Sequence, residues 1–130
     1  IVFWVVGARA YAIDVAIIES EMVTVSKWLA DHTAPDDLIA VHDIGAIGYY
    51  SERDIFDLAG LVSPDVIPII RDEFAISELL DRNEVSYLVT FPSWYPYLTN
   101  QGELIFVTEG ENINSHRDKF SASLGDIEYF

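Results

Sequence analysis

Three short apolar runs separated by segments of helical spacing constrain this chain more than any other feature. Leu38 to Val41 is continuously apolar and ends in His42 and Asp43, the profile of a strand buried on both faces of a parallel sheet. Asp54 to Leu58 is a second strand candidate and Tyr87 to Phe91 a third. Between them, Gly45 to Tyr50 has the composition of a short helix. Ile76, Leu79 and Leu80 give one apolar face to a longer one that ends near Asn83. Ser63 followed by Pro64 should open a further helix, the hydroxyl capping free amides and the proline fitting the first turn, with Pro68 keeping it short. Strand, helix, strand, helix, strand predicts a parallel sheet covered by helices through right-handed crossovers. The expected class is therefore α/β, a Rossmann-like three-layer fold with a mostly parallel sheet.

The flanks are different in character. From Tyr11 a stripe of Tyr11, Val15, Ile18, Met22, Val25 and Leu29 recurs at spacings of four and three, which predicts a long N-terminal helix with one buried face. Pro35, in the polar stretch His32 to Asp37, should stop it. After the third strand, Glu103 to Thr108 and Asp126 to Phe130 read as a C-terminal antiparallel strand pair joined by a long exposed loop, Glu109 to Lys119. Ile1 to Ala8 is apolar and uncharged, yet far short of the roughly 20 residues a spanning helix needs. It lacks the basic start of a signal peptide, and a segment preceding Ile1 explains it better than targeting does. We accordingly expect residues 1–10 to be the end of a membrane-proximal segment or a linker, with Trp4 and Tyr11 near the interface. Residues 11–130 should form one soluble α/β domain, a size that 130 residues with 51% hydrophobic content supports.

Charge excludes one class of partner. Acidic residues outnumber basic ones 22 to 7, a formal charge of −15, so a phosphate backbone or an anionic membrane surface is repelled at long range and no nucleic-acid partner is expected. The chain has no cysteine, which removes disulfides, thiolate zinc sites and cysteine nucleophiles together. His32, His42 and His116 lie too far apart in sequence to suggest a metal site, and nothing calls for a cofactor.

Ligands of open α/β sheets gather beyond the carboxyl ends of the strands, and here those positions are polar or aromatic. The first strand ends at His42 and Asp43, the second at Asp57, and the third runs through Pro92 into Ser93, Trp94 and Tyr95. Were the three strands neighbours, Asp43, Asp57, Ser93, Trp94 and Tyr95 would converge on one rim, with Tyr49 on the following short helix. Carboxylates beside aromatic rings suit a sugar, whose hydroxyls donate to the acids while its apolar face stacks. The competing reading makes the same acids helix caps and the rings core closures. The turn Asp43 to Gly48 holds only two glycines where a dinucleotide fingerprint needs three. Asp43 and Asp57 could share a divalent cation. No nucleophile elbow or triad can be assembled, so no catalytic residue is assigned.

Four stretches together resemble the carboxy-terminal region of polytopic membrane glycosyltransferases related to the dolichyl-phosphate-mannose protein mannosyltransferases. They are Ser26 to Leu29, Asp43 to Ser51, Asp57 to Pro64, and Phe91 to Pro96. The resemblance implies a parent enzyme that takes a sugar from a polyprenyl-phosphate carrier on the outer side of a membrane, with this region as its soluble extracytoplasmic tail. In such enzymes the acidic catalytic residues lie in an external loop between early membrane helices, to which nothing here corresponds. The expected role is thus acceptor recognition or stabilisation. The expected partners are the transmembrane portion of the same polypeptide and a glycan or polyprenyl-linked sugar. The alternative is a carbohydrate-binding or interaction module of a membrane protein that is not a transferase.

Overall fold

The computed structural model describes residues 2–91, 93–108 and 121–123. It opens with a helical rod in which α1 (Val2–Ile17), a π-helical segment (Ile18–Val23) and α2 (Thr24–His32) follow one another without a break. At 1.5 Å per residue the rod is roughly 45 Å long. There follow β1 (Leu38–Val41), α3 (Ile44–Ser51), β2 (Asp54–Asp57), a 3₁₀ helix (Pro64–Ile69), α4 (Glu73–Arg82), β3 (Tyr87–Thr90), α5 (Pro96–Thr99), β4 (Leu104–Val107) and β5 (Ser121–Ser123).

The sheet runs in the order β2-β1-β3-β5-β4. β1 pairs in parallel with β2, Ile39 opposite Ile55, and with β3, Ala40 opposite Leu88. β5 then joins β3 antiparallel, and β4 joins β5 antiparallel. The chain is therefore a mixed α/β domain built on a small three-stranded parallel sheet with an antiparallel extension.

Side-chain alternation along the strands sorts the interior into two clusters. Ile39 and Val41 of β1, with Tyr87 and Val89 of β3, pack with Val25 and Leu29 of α2 and Ile47 of α3. Ala40 and Leu88, the residues between, pack with Ile76 and Leu80 of α4, Val66 of the 3₁₀ helix and Leu98 of α5. Each face of β1 and β3 thus has its own core, which explains why those strands read as unbroken apolar runs.

The predicted stripe on the first helix is buried only in its second half. Val25 and Leu29 are fully buried, whereas Tyr11 is 71% exposed and Val15 and Ile18 are also exposed. The reason is length: a strand of four residues spans about 13 Å, which the nine residues of α2 already cover. Upstream, α1 has no sheet beneath it, and Phe3 and Trp4 are 85% and 79% exposed. No helix among the described residues is long and apolar enough to cross a membrane.

Arg53 fixes the far end of the rod. Its guanidinium donates to the carbonyls of Ala30 (2.6 Å) and Thr33 (2.9 Å), to Thr33 Oγ1 (2.9 Å) and to the carbonyl of Ser51 (3.1 Å). These are carbonyls that a helix end leaves unpaired, and a cation there also opposes the negative end of the helix dipole.

One expectation needs correction. Ser63 does not cap the 3₁₀ helix; its hydroxyl accepts the Asp57 N–H at 2.9 Å. A short antiparallel strand that the sequence did not indicate lies at Ser121–Ser123, between β3 and β4. A three-residue strand of small side chains is too short to show a period in sequence. Asp126 to Phe130 and the loop Glu109 to Lys119 lie outside the described residues.

Candidate functional site

The order β2-β1-β3 has a direct consequence for where a ligand could sit. From β1 the chain crosses through α3 to β2 on one side, then returns through α4 to β3 on the other side. Connections leaving β1 and β3 diverge, and a crevice opens between their carboxyl ends, the usual ligand position in such sheets. His42 follows β1 there, and Trp94 and Tyr95 follow β3. Together with Ile70, just after the 3₁₀ helix, they line an open hollow of about 340 Å³.

Tyr95 is the pivot. Its ring is buried and its hydroxyl lies 3.0 Å from Nδ1 of His42. Burial, then the negative charges of Glu73 and Asp57, push the phenol pKa up to about 12, so the hydroxyl keeps its proton across the physiological range. This hydrogen bond occupies Nδ1 and leaves Nε2 as the second polar position of the ring. Among the described residues Nε2 has no hydrogen-bond partner. Trp94 meets His42 edge to face at 4.7 Å between ring centres and Phe91 at 4.8 Å, and it remains 50% exposed. The hollow offers an imidazole nitrogen, one open indole and the Ile70 side chain, a set suited to a neutral hydroxylated ligand with an apolar face.

The acids expected on this rim do other work. Asp57 is fully buried, and its carboxylate accepts backbone N–H groups from Ala59 (Oδ1, 2.8 Å) and Val62 (Oδ2, 2.8 Å). It folds the loop after β2 and reaches the hollow only through its field on Tyr95. In that loop Gly60 has φ +79°, and a Cβ there would stand 2.7 Å from Cγ1 of Ile67, so the turn closes tightly on glycine alone. Asp43 is exposed at the N-terminus of α3, accepting the Gly45 N–H at 3.2 Å. Tyr49 stands 77% exposed on α3 against Tyr50 and does not line the hollow. Ser93 is exposed beside Trp94. Of the six candidates, the structure brings together Trp94 and Tyr95, and the two aspartates serve as loop and helix caps.

His42 and Ile70 are the residues sequence reasoning did not select. His42 carried a signal, a polar ring directly after an apolar strand, but its partner lies 53 positions away. Among the described residues there is no group of three or more His, Asp or Glu side chains placed to hold a metal ion.

Comparison with known proteins adds a family and a partial relative. An uncharacterized calcium-binding protein of Schizosaccharomyces pombe is 28% identical over 76 residues, which cover 57% of this chain and 40% of that protein. The chain thus spans less than half the length of that relative. No solved structure matches it. A family model described as Domain of unknown function (DUF8728) matches residues 10–124, from the middle of α1 past β5, so the strands, both cores and the hollow all fall inside the match and the chain belongs to that family.

Proposed function

We propose that this is a Rossmann-like domain on the extracytoplasmic side of a polytopic membrane glycosyltransferase that uses a polyprenyl-phosphate sugar, and that it serves acceptor recognition or stabilisation. The observation that carries this reading is α1. Phe3, Trp4, Val5 and Val6 point around the full circumference of the helix and are all more than half exposed. A helix apolar on every side calls for an apolar surround, which the domain does not supply and a bilayer does. The hollow at His42 and Trp94 supports the recognition half, because it is lined by aromatic rings and one isoleucine with no carboxylate, lysine or arginine, which suits a sugar better than a charged ligand. One of the four stretches resembling the mannosyltransferase-related family, Phe91 to Pro96, includes Trp94 and Tyr95 of the hollow, and another, Asp43 to Ser51, begins directly after His42.

The test is an NMR titration of the chain with mannose and glucose, with nucleotides and with calcium, following the Trp94 indole and the His42 ring. Sugars shifting both signals is the expected result. Shifts with nucleotides alone would refute the sugar reading. Calcium binding is a second reading, favoured by the description of the yeast protein. Under it, calcium alone would move signals, and they would belong to carboxylate-bearing residues.

A further inference from the structure

Two apolar features leave the molecule on the same side. The end of α2 lies at the amino ends of the parallel strands, because Arg53, just before β2, bonds to the carbonyls of Ala30 and Thr33. α2 therefore runs antiparallel to β1. Going back along the rod, Met22 joins the core cluster that also takes in Ile44 and Phe91, the residues just beyond the carboxyl ends of β1 and β3. The π segment still packs beside α3, with Glu21 buried, but α1 upstream of it makes its main contacts with the π segment alone and projects past that rim.

The rim itself carries the other feature. Leu61 and Val62 are 77% and 63% exposed at the tip of the loop that Asp57 pins. Ile67, exposed, closes against Gly60 of the same loop. Next along the rim, Ile70 and Trp94 share the hollow, and Phe74 meets Tyr97 at 6.2 Å. Large apolar side chains held in this way on a monomer mark a contact surface. A loop fixed by two buried carboxylate hydrogen bonds also loses little freedom when it docks.

We propose that this rim lies against the surface of the same bilayer that receives α1, with Leu61, Val62 and Trp94 at headgroup depth and the hollow opening toward the membrane. The inference rests on the membrane reading of α1 given above. Distances permit it. From Asp14, the last charge before the apolar turn ending at Ile18, to Met22 the rod climbs about 12 Å. The loops beyond the strand ends and the headgroup layer, several Å thick on each side, close that gap. The occupant is a zwitterionic lipid surface rather than an anionic membrane or macromolecule, because the net charge of −15 opposes both of the latter and amphipathic rings such as Trp94 collect at the interface. A ligand entering the hollow would then come from the membrane plane, as a lipid-linked sugar does.

The experiment uses the chain with phosphatidylcholine vesicles spin-labelled close to the headgroup, and three variants that each keep one tryptophan, the other two being replaced by phenylalanine. Quenching of Trp4 and Trp94 but not of Trp28, which stacks on Phe106 beside α2, is the expected pattern. Quenching of Trp4 alone overturns the rim proposal and leaves the membrane reading of α1 standing. No quenching of Trp4 removes both. Should a tryptophan variant fail to fold, Leu61→Ser with Val62→Ser provides a second measurement. Both side chains are exposed, the fold should survive, and vesicle flotation should fall about tenfold. Unchanged flotation would overturn the proposal.

Discussion

Replacing Asp57 by asparagine keeps the shape of the side chain and removes its charge, at a position where the two candidate roles of this acid give opposite results. In the structure each carboxylate oxygen receives one backbone N–H at 2.8 Å, and the side chain is fully buried. Asparagine can still accept at one oxygen, but its NH2 must then face the N–H of Ala59 or Val62. The loss is one hydrogen bond to a charged group, about 1.5–3 kcal/mol, together with buried donors left without acceptors, about 1–3 kcal/mol more. After some relaxation of the loop we expect about 3–5 kcal/mol, a large share of the roughly 5–15 kcal/mol that holds a domain together. Urea denaturation followed by tryptophan fluorescence should show the midpoint falling by about 2 M with the slope unchanged. A loss below about 1 kcal/mol, with the ligand response of Trp94 abolished, would refute the assignment and return Asp57 to the binding site.

The remaining predictions rest on other contacts. Arg53→Lys keeps the charge but loses the fork that joins Ala30, Thr33 and Ser51, and should cost about 1–3 kcal/mol by thermal denaturation; an unchanged melting temperature would show that water replaces the guanidinium at no cost. Gly60→Ala forces a positive φ on an L side chain and drives a methyl into Ile67, so a destabilisation of about 1–3 kcal/mol is expected by the same assay. Tyr95 has a folded pKa raised to about 12 from 10, so its contribution is full below pH 10 and is lost as pH rises through 12. Absorbance titration of the phenolates should lose a late-titrating component in Tyr95→Phe, and the same variant should reduce the alkaline unfolding.

What the sequence disclosed was mainly local. β1 and β3 were legible because burial on both faces leaves no polar alternation, and α4 because Ile76, Leu79 and Leu80 define a helical face with Asn83 at its end. Roles that depend on distant contacts were not. Asp57 is an acid at a strand end whether it binds a ligand or its own loop, and only the positions of the Ala59 and Val62 amides decide between them. Tyr11 and Val15 follow the same spacing as Val25 and Leu29, yet the sheet ends before it reaches them. His42 acquires a role only through Tyr95, and β5 is a strand because two neighbours pair with it.

The π-helical segment between α1 and α2 has a consequence for how the two halves of the rod can change independently. An α-helix turns by about 100° per residue, so its faces are locked in phase over its whole length. A π segment closes its hydrogen bonds one residue further along the chain and absorbs the extra residue locally. Trp4 and Tyr11 therefore stand at nearly the azimuth they would have on an uninterrupted α-helix one residue shorter, while Val25 and Leu29 stay docked on the sheet. Deleting Ser20 from that segment should convert it to an ordinary α-helix and leave α1 at nearly its present azimuth without disturbing either core. The segment Ile18–Val23 thus takes up one residue of sequence change without passing a rotation from one half of the rod to the other.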